Sequence, residues 1–176
     1  MKAYGIEKLG PQHYQENPGR DFEDFEVNDI YDHWPGRTIT QADNVWFTNL
    51  TMNTHPIHFD ENYASHTEFG KCLVNSTFTL ALVAGMSVSG SSQKAVANLG
   101  WEEIKLPIPV FVGDTLYART EILGKRESKS RPTQGIIRAR HTGRNQNGDV
   151  VLDMTRSFLS FKRGHGVVDQ MIKRVK

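Results

Sequence analysis

The hydrophobic and polar positions change character three times along the chain. Gly10, Pro11, Pro18 and Gly19 stand among polar side chains, so residues 1–20 are expected to form an irregular arm. Thr38-Ile39-Thr40 looks extended, and Thr40 can cap a helix over Ala42 to Leu50, with Asp43 in its first turn. Pro56 forbids a helix interior and pushes His55 towards extended geometry, so Asn53 to Phe59 is expected to be a shaped loop. Asp60 to Ser65 predicts one helical turn and Phe69-Gly70 a bend. Beyond Asn75-Ser76-Thr77, the apolar Phe78, Leu80, Leu82, Val83 and Met86 fall on nearly every side, which predicts a buried helix ended at Gly90-Ser91-Ser92.

After Leu99 the pattern turns to short β-rich runs: Glu103 to Pro107, Leu116 to Leu123, Gly135 to His141 and Val150 to Phe161. Asn147-Gly148 is a hairpin signal joining the last two. The alternation in Ile137-Arg138-Ala139-Arg140 predicts a sheet with one buried face and the other wet or facing a partner. One buried helix followed by an antiparallel meander gives an α+β class, as a single domain over 21–165 with a C-terminal tail over 166–176, whose Lys173 to Lys176 are expected to be a frayed solvated end, the alternative being a binding patch.

Composition narrows the function without naming it. With 21 basic and 20 acidic residues among 176, the chain has no field that would gather nucleic acid or an anionic membrane. No apolar run approaches the roughly 20 residues of a membrane span. Cys72 is the only cysteine, so no intramolecular disulfide can form, and with no secretory leader in view a reducing cytoplasm is the expected location. No nicotinamide, flavin or phosphate-loop fingerprint is present, so no cofactor is expected.

Chemistry concentrates in Met52-Asn53-Thr54-His55-Pro56-Ile57-His58-Phe59-Asp60, where two of seven histidines share a loop with an amide and a carboxylate. An imidazole near its ordinary pKa of about 6.5 can give or take a proton at neutral pH, so either His55 or His58 is a candidate acid or base. A His-x-x-His metal pair is the competing reading, but no cysteine or second ligand cluster lies nearby, and none is assigned. The bland reading is that both rings only satisfy backbone groups. His33, His66 and His141 stand alone among polar neighbours and are expected at a surface or interface. Asp60 is expected to cap the next turn, Asp114 to serve a tight turn, and Lys125 to Arg131 to form a solvated loop, the alternative for this basic segment being contact with coenzyme A phosphates or an acyl carboxylate.

The motifs resemble the MaoC-like (R)-specific enoyl-CoA hydratases and dehydratases. Their signature Asp-x-Asn-Pro-(Ile/Leu/Val)-His, followed by a small residue, is matched by Asn53-Thr54-His55-Pro56-Ile57-His58 with Ala64. Phe69-Gly70-Lys71-Cys72-Leu73-Val74-Asn75-Ser76 resembles a second family pattern, and Pro109 to Leu116 a third, so the resemblance spans about residues 22 to 162. It implies a hot-dog fold, a long central helix wrapped by a curved antiparallel sheet, assembled as a homodimer or as dimers of dimers. It also implies addition of water to an enoyl thioester, or its removal, with the central helix receiving the thioester oxygen near Asn75, Ser76 and Thr77. The chain departs from the signature where Asn53 replaces the catalytic aspartate, because an amide cannot accept a proton as a general base. His58 is then the expected acid/base and Asn53 the residue that positions water, with His55 orienting His58 or sharing proton transfer. The expected substrate is an acyl-CoA, including small branched or dicarboxylic ones such as mesaconyl-CoA. A hot-dog thioesterase and a non-catalytic acyl-CoA-binding protein are the alternatives; the first would want a carboxylate on the central helix, and Asn75 to Ser89 has none.

Overall fold

A computed structural model of the protein describes residues 5–17 and 19–175. In chain order the elements are a hairpin of β1 (Gly5–Lys8) and β2 (Tyr14–Asn17), short strands β3 (Ile30–Asp32) and β4 (Arg37–Thr38), helix α1 (Gln41–Leu50) and helix α2 (Glu61–Ser65). There follow helix α3 (Ser76–Met86), four long strands β5 (Ala95–Lys105), β6 (Thr115–Glu127), β7 (Gln134–Arg144) and β8 (Val150–Phe161), and helix α4 (Val167–Val175). The main sheet is antiparallel, ordered β3-β6-β7-β8-β5, with β4 also paired to β6. Helix α3 lies against β6, β7 and β8. This is the helix-wrapped-by-sheet architecture expected from the motifs, in the α+β class.

Local chemistry explains the main boundaries. Thr40 caps α1 by accepting from the Asp43 amide, and the Asp43 carboxylate returns a bond to the Thr40 amide, so each satisfies an otherwise unpaired donor. Asn75 caps α3 through Oδ1, which accepts from the Thr77 amide at 3.0 Å. The β7–β8 turn is held by Asn145 Oδ1, which accepts from the amides of Asn147 and Asp149, while Gly148 supplies the φ of +88°.

The sheet's inner face alternates as the sequence predicts. Leu116, Ala118, Thr120 and Ile122 of β6 are buried, as are Ile137, Ala139 and His141 of β7. Arg138 and Arg140 point outward and pair with Glu102 and Asp153. At Gly143 a Cβ would sit 2.6 Å from Val83 Cγ2, so glycine is what lets α3 settle onto β7.

Two apolar clusters make the core. One surrounds α3 with Ile39, Phe78, Val83, Leu116, Leu152 and Met154; the other joins Phe22, Phe25, Ile122, Ile137 and Phe158. A polar band crosses the sheet between them. Arg156 Nε donates to His141 Nε2 at 2.8 Å, and His141 Nδ1 lies 2.9 Å from Thr120 Oγ1. Thr120 Oγ1 is in turn 2.6 Å from His33 Nε2. Because an arginine can only donate, His141 must receive at Nε2 and donate from Nδ1 to the Thr120 hydroxyl, which links it to His33. Burial first, then the positive charges of Arg156 and Arg20 respectively, push His141 down to about 3 and His33 down to about 4.

That band corrects one expectation. His33 and His141 are buried, not placed at a surface, because a charged or hydroxyl neighbour in sequence lies on the opposite face of its strand and says nothing of what faces the ring. Other boundaries also differ. Residues 5–17 pair as a hairpin where an irregular arm was expected; its exposed, mostly polar strands carry little hydrophobic signal. The strand expected from Glu103 to Pro107 instead spans Ala95–Lys105, its period-2 pattern erased by three register shifts against β8 and by Glu103 at a φ of +50°. The tail is helical through Val175, and Lys176 lies outside the described residues.

Candidate active site

Helix α1 ends with Met52 at a φ of +56°, and the chain turns back so that the Asn53 amide donates to the Thr48 carbonyl at 3.0 Å. Asn53 Oδ1 accepts from the His55 amide, and His55 Nδ1 accepts from the Ile57 amide at 3.2 Å, capping the single 3-10 turn of Pro56–His58. The proline that rules out a longer helix thus starts this turn. Asn53, His55 and Ile57 of the signature are thus linked by bonds among themselves.

His58 points elsewhere. Its Nδ1 is 3.0 Å from the Leu73 carbonyl oxygen, which can only accept, so Nδ1 carries the hydrogen and Nε2 of the neutral ring keeps its lone pair. The ring is half-buried, which leaves it reachable. The His55 and His58 rings lie 6.1 Å apart between centroids with no hydrogen bond between them. Leu73, and not His55, therefore orients His58. His55 is exposed and sits edge-on to Tyr63.

Leu73 also leads into the opening of α3. The Asn75 side chain uses the Thr77 amide, and the Asn75 carbonyl accepts from Thr79; among the described residues the Ser76 and Phe78 amides have no acceptor. Of the positions expected to receive a thioester oxygen, Ser76 presents a free N–H at an exposed residue, whereas the Thr77 N–H is already occupied by the cap. A helix start concentrates unpaired donors and roughly half a positive charge, which is what a developing oxyanion requires. The loop and the helix opening are tied together, since the Leu73 amide donates to the Ile57 carbonyl at 3.1 Å.

Sequence reasoning missed two residues that hold this assembly. Asn44 and Thr48 are fully buried, four apart on the inner face of α1. Asn44 bonds to His58, Leu73 and Asn75, and Thr48 to Asn53 and Asn75. The available signal was a pair of polar side chains at helical spacing on the face that turns inward. Asp60 behaves as expected, accepting from the Tyr63 amide as the cap of α2, and Asp114 bonds the Phe111 amide within its turn. In the Lys125 to Arg131 segment, Lys125 is engaged by the Phe25 carbonyl and Glu26, while Lys129 and Arg131 are exposed. His66 is exposed and held by its own turn. Cys72 is buried beside this region, and burial pushes its thiol up. Among the described residues there is no group of three or more His, Cys, Asp and Glu side chains arranged for a metal.

A helix laid across an antiparallel sheet, with a proline-shaped histidine loop at the helix opening, is the hot-dog class. A Mycobacterium tuberculosis protein described as a double hotdog fold superposes with a TM-score of 0.77 at 24% identity, over 85% of this chain and 47% of that one. Residues 24–145 match the family model for the MaoC like domain, and the chain belongs to that family. It is 32% identical over 147 residues to the mesaconyl-CoA hydratase of Cereibacter sphaeroides, covering 84% of this chain and 43% of the relative. A MaoC domain dehydratase structure from Chloroflexus aurantiacus superposes with a TM-score of 0.80 at 30% identity, over 85% of this chain and 42% of that one. The chain thus spans less than half the length of these relatives. Among the described residues no helix is long and apolar enough to cross a membrane.

Proposed function

We propose that this chain is a hydro-lyase that adds water to, or removes it from, the double bond of an enoyl-CoA, and that small branched or dicarboxylic acyl groups such as mesaconyl are its substrates. The carrying observation is the pairing of His58, whose Nδ1 is committed to Leu73 so that Nε2 is left basic, with the free Ser76 amide at the start of α3. In the hydration direction the thioester oxygen takes the Ser76 N–H. Water held by the Asn53 amide group adds its oxygen to the β-carbon as His58 Nε2 removes its proton. The electron pair of the double bond moves into the thioester as an enolate, and the imidazolium returns the proton to the α-carbon. One hydrogen and one hydroxyl are added, and His58 ends neutral. His55, with no bond to His58, stands at the exposed rim and, accepting from the Ile57 amide at Nδ1, holds the turn that carries His58.

The substrate class is supported by the mesaconyl-CoA hydratase relative, and by a Chloroflexus aurantiacus β-methylmalyl-CoA dehydratase that is 31% identical over 84% of this chain and covers 42% of its own length. Coenzyme A enters as part of the substrate; no other cofactor has a role. The proposed setting is the reducing cytoplasm, where the single Cys72 stays a thiol. The working unit is proposed to be a homodimer or an assembly of dimers. Among the described residues β5 is a sheet edge bonded on one side only, and its Leu99, Trp101 and Ile104 are 52%, 50% and 41% exposed, which suits pairing with a second copy.

The test is a panel of crotonyl-CoA, longer enoyl-CoAs and mesaconyl-CoA, followed for loss of the conjugated double bond and for free thiol. His58→Ala is expected to lower turnover by about a thousandfold while leaving the circular dichroism spectrum unchanged. Thiol release would make the protein a thioesterase, and silence on every substrate would make it an acyl-CoA binder.

A further inference from the structure

The loop that carries His58 and the strand-like run that leads into α3 are separate stretches of chain, and little in their own sequence fixes one against the other. Asn44 does. Its Nδ2 donates to the His58 carbonyl at 2.8 Å and to the Leu73 carbonyl at 2.9 Å, and its Oδ1 accepts from the Asn75 amide at 2.8 Å. All three partners are main-chain atoms, and the side chain is fully buried. The Leu73 oxygen is shared: the same atom takes the Nδ1 hydrogen of His58. One amide group therefore fixes the loop, the carbonyl that sets the His58 tautomer, and the residue that caps α3.

Thr48, one turn further on, completes the frame. Its carbonyl accepts from the Asn53 amide, and its Oγ1 accepts from Asn75 Nδ2 at 3.3 Å. A carboxamide is the one neutral side chain of this size with two donors and an acceptor on a rigid plane, so the match at position 44 is chemical as well as steric. The position lies on a helix anchored by the Thr40–Asp43 capping box, so the frame itself is rigid.

We infer that Asn44 is a positioning residue for the hydration reaction: it holds the Leu73 carbonyl so that His58 presents Nε2 as the base, and it sets the opening of α3 at the matching distance. This rests on the hydratase reading. It goes beyond it by placing the control of His58 on a fully buried side chain of α1, outside the loop that carries the histidine. A displacement of about 1 Å in such an arrangement costs on the order of a hundredfold in rate.

Asn44→Asp preserves shape and the acceptor for the Asn75 amide but removes both donors and turns a charge towards two carbonyl oxygens. Asn44→Ala is the gentler companion, since the vacated space admits water to the stranded groups. Both are compared with the parent for kcat and KM on an enoyl-CoA, and by 15N NMR of the His58 ring. In the folded variants, kcat is expected to fall about 100-fold with KM within about threefold, and the His58 spectrum to change from the Nδ1-protonated pattern to a mixture of tautomers. Parent-like kcat would overturn the inference. So would a loss of kcat that follows the unfolded fraction while His58 keeps its parent spectrum. If the parent itself turns over no acyl-CoA, the hydratase reading fails, and the His58 spectra still decide whether Asn44 sets the tautomer.

Discussion

Acidification from pH 7 to pH 5 is expected to destabilise this protein through two groups far from the site. His33 and His141 are buried neutral, with pKa values pushed down to about 4 and about 3, against the ordinary value near 6.5 in the unfolded chain. A depressed histidine pKa means that the unfolded state binds more protons, so the stability is complete above about 6.5 and drains away as pH falls towards 4 and 3. At pH 5 the unfolded chain holds nearly one proton more at each ring, a slope of about 2.5 kcal/mol per pH unit for the pair, and the loss between pH 7 and pH 5 comes to about 4 kcal/mol. That is a large share of the roughly 5–15 kcal/mol that a domain has. Asp21, raised by burial ahead of its pairing with Lys94, acts in the opposite direction, so the comparison is made between variants that share it. His141→Gln keeps an acceptor for Arg156 and a donor for Thr120 but cannot titrate. Urea unfolding at pH 7, 6 and 5, followed by tryptophan fluorescence, should show the pH-dependent loss in this variant smaller than in the parent by about 2 kcal/mol. Identical pH dependence in the two proteins would refute the claim that His141 is buried neutral.

Two further outcomes follow from the packing and the loop. Gly143→Ala puts a methyl 2.6 Å from Val83 Cγ2 in the α3 interface, and is expected to cost about 1–3 kcal/mol in denaturant unfolding. Asn53→Asp introduces a carboxylate that accepts from the His55 amide as the amide oxygen does, and adds a second base to the loop that carries His58. Enoyl-CoA hydration by this variant should depend on His58 less than in the parent, measured as a double-mutant cycle with His58→Ala; strictly multiplicative effects would show that Asn53 has no part in handling the water.

The fold was legible where one physical signal dominated. Thr40 with Asp43, Pro56, and Asn147-Gly148 each impose a local geometry that tertiary packing did not override. The apolar run after Asn75 was legible as a helix but not as one buried all round: α3 buries Phe78, Thr79 and Val83, while Leu80, Leu82 and Met86 stay half-buried and Ala81 and Gly85 exposed. β5 was legible in part because an edge strand has one solvated side, and its bulges destroy the alternation that marks a strand. At the candidate site, His58, Asn53 and Ser76 were proposed from residue chemistry and from the family motifs. Occupancy of the Thr77 amide by Asn75 was not, because a cap and an oxyanion donor draw on the same helix start and only geometry tells them apart. Asn44 was missed for a related reason: its partners are main-chain atoms, which leave no mark in a sequence, and its one signal was the four-residue spacing from Thr48. The band from His33 to Arg156 needs four strands in register before its members become neighbours.

The central claim is tested most directly by incubating the protein with mesaconyl-CoA in 18O-labelled water and recording the mass of the intact thioester. The account predicts a thioester heavier by one labelled water, formed without free coenzyme A and lost in His58→Ala. Label appearing instead in a free acid, alongside released thiol, or an intact thioester that gains no water, would contradict it.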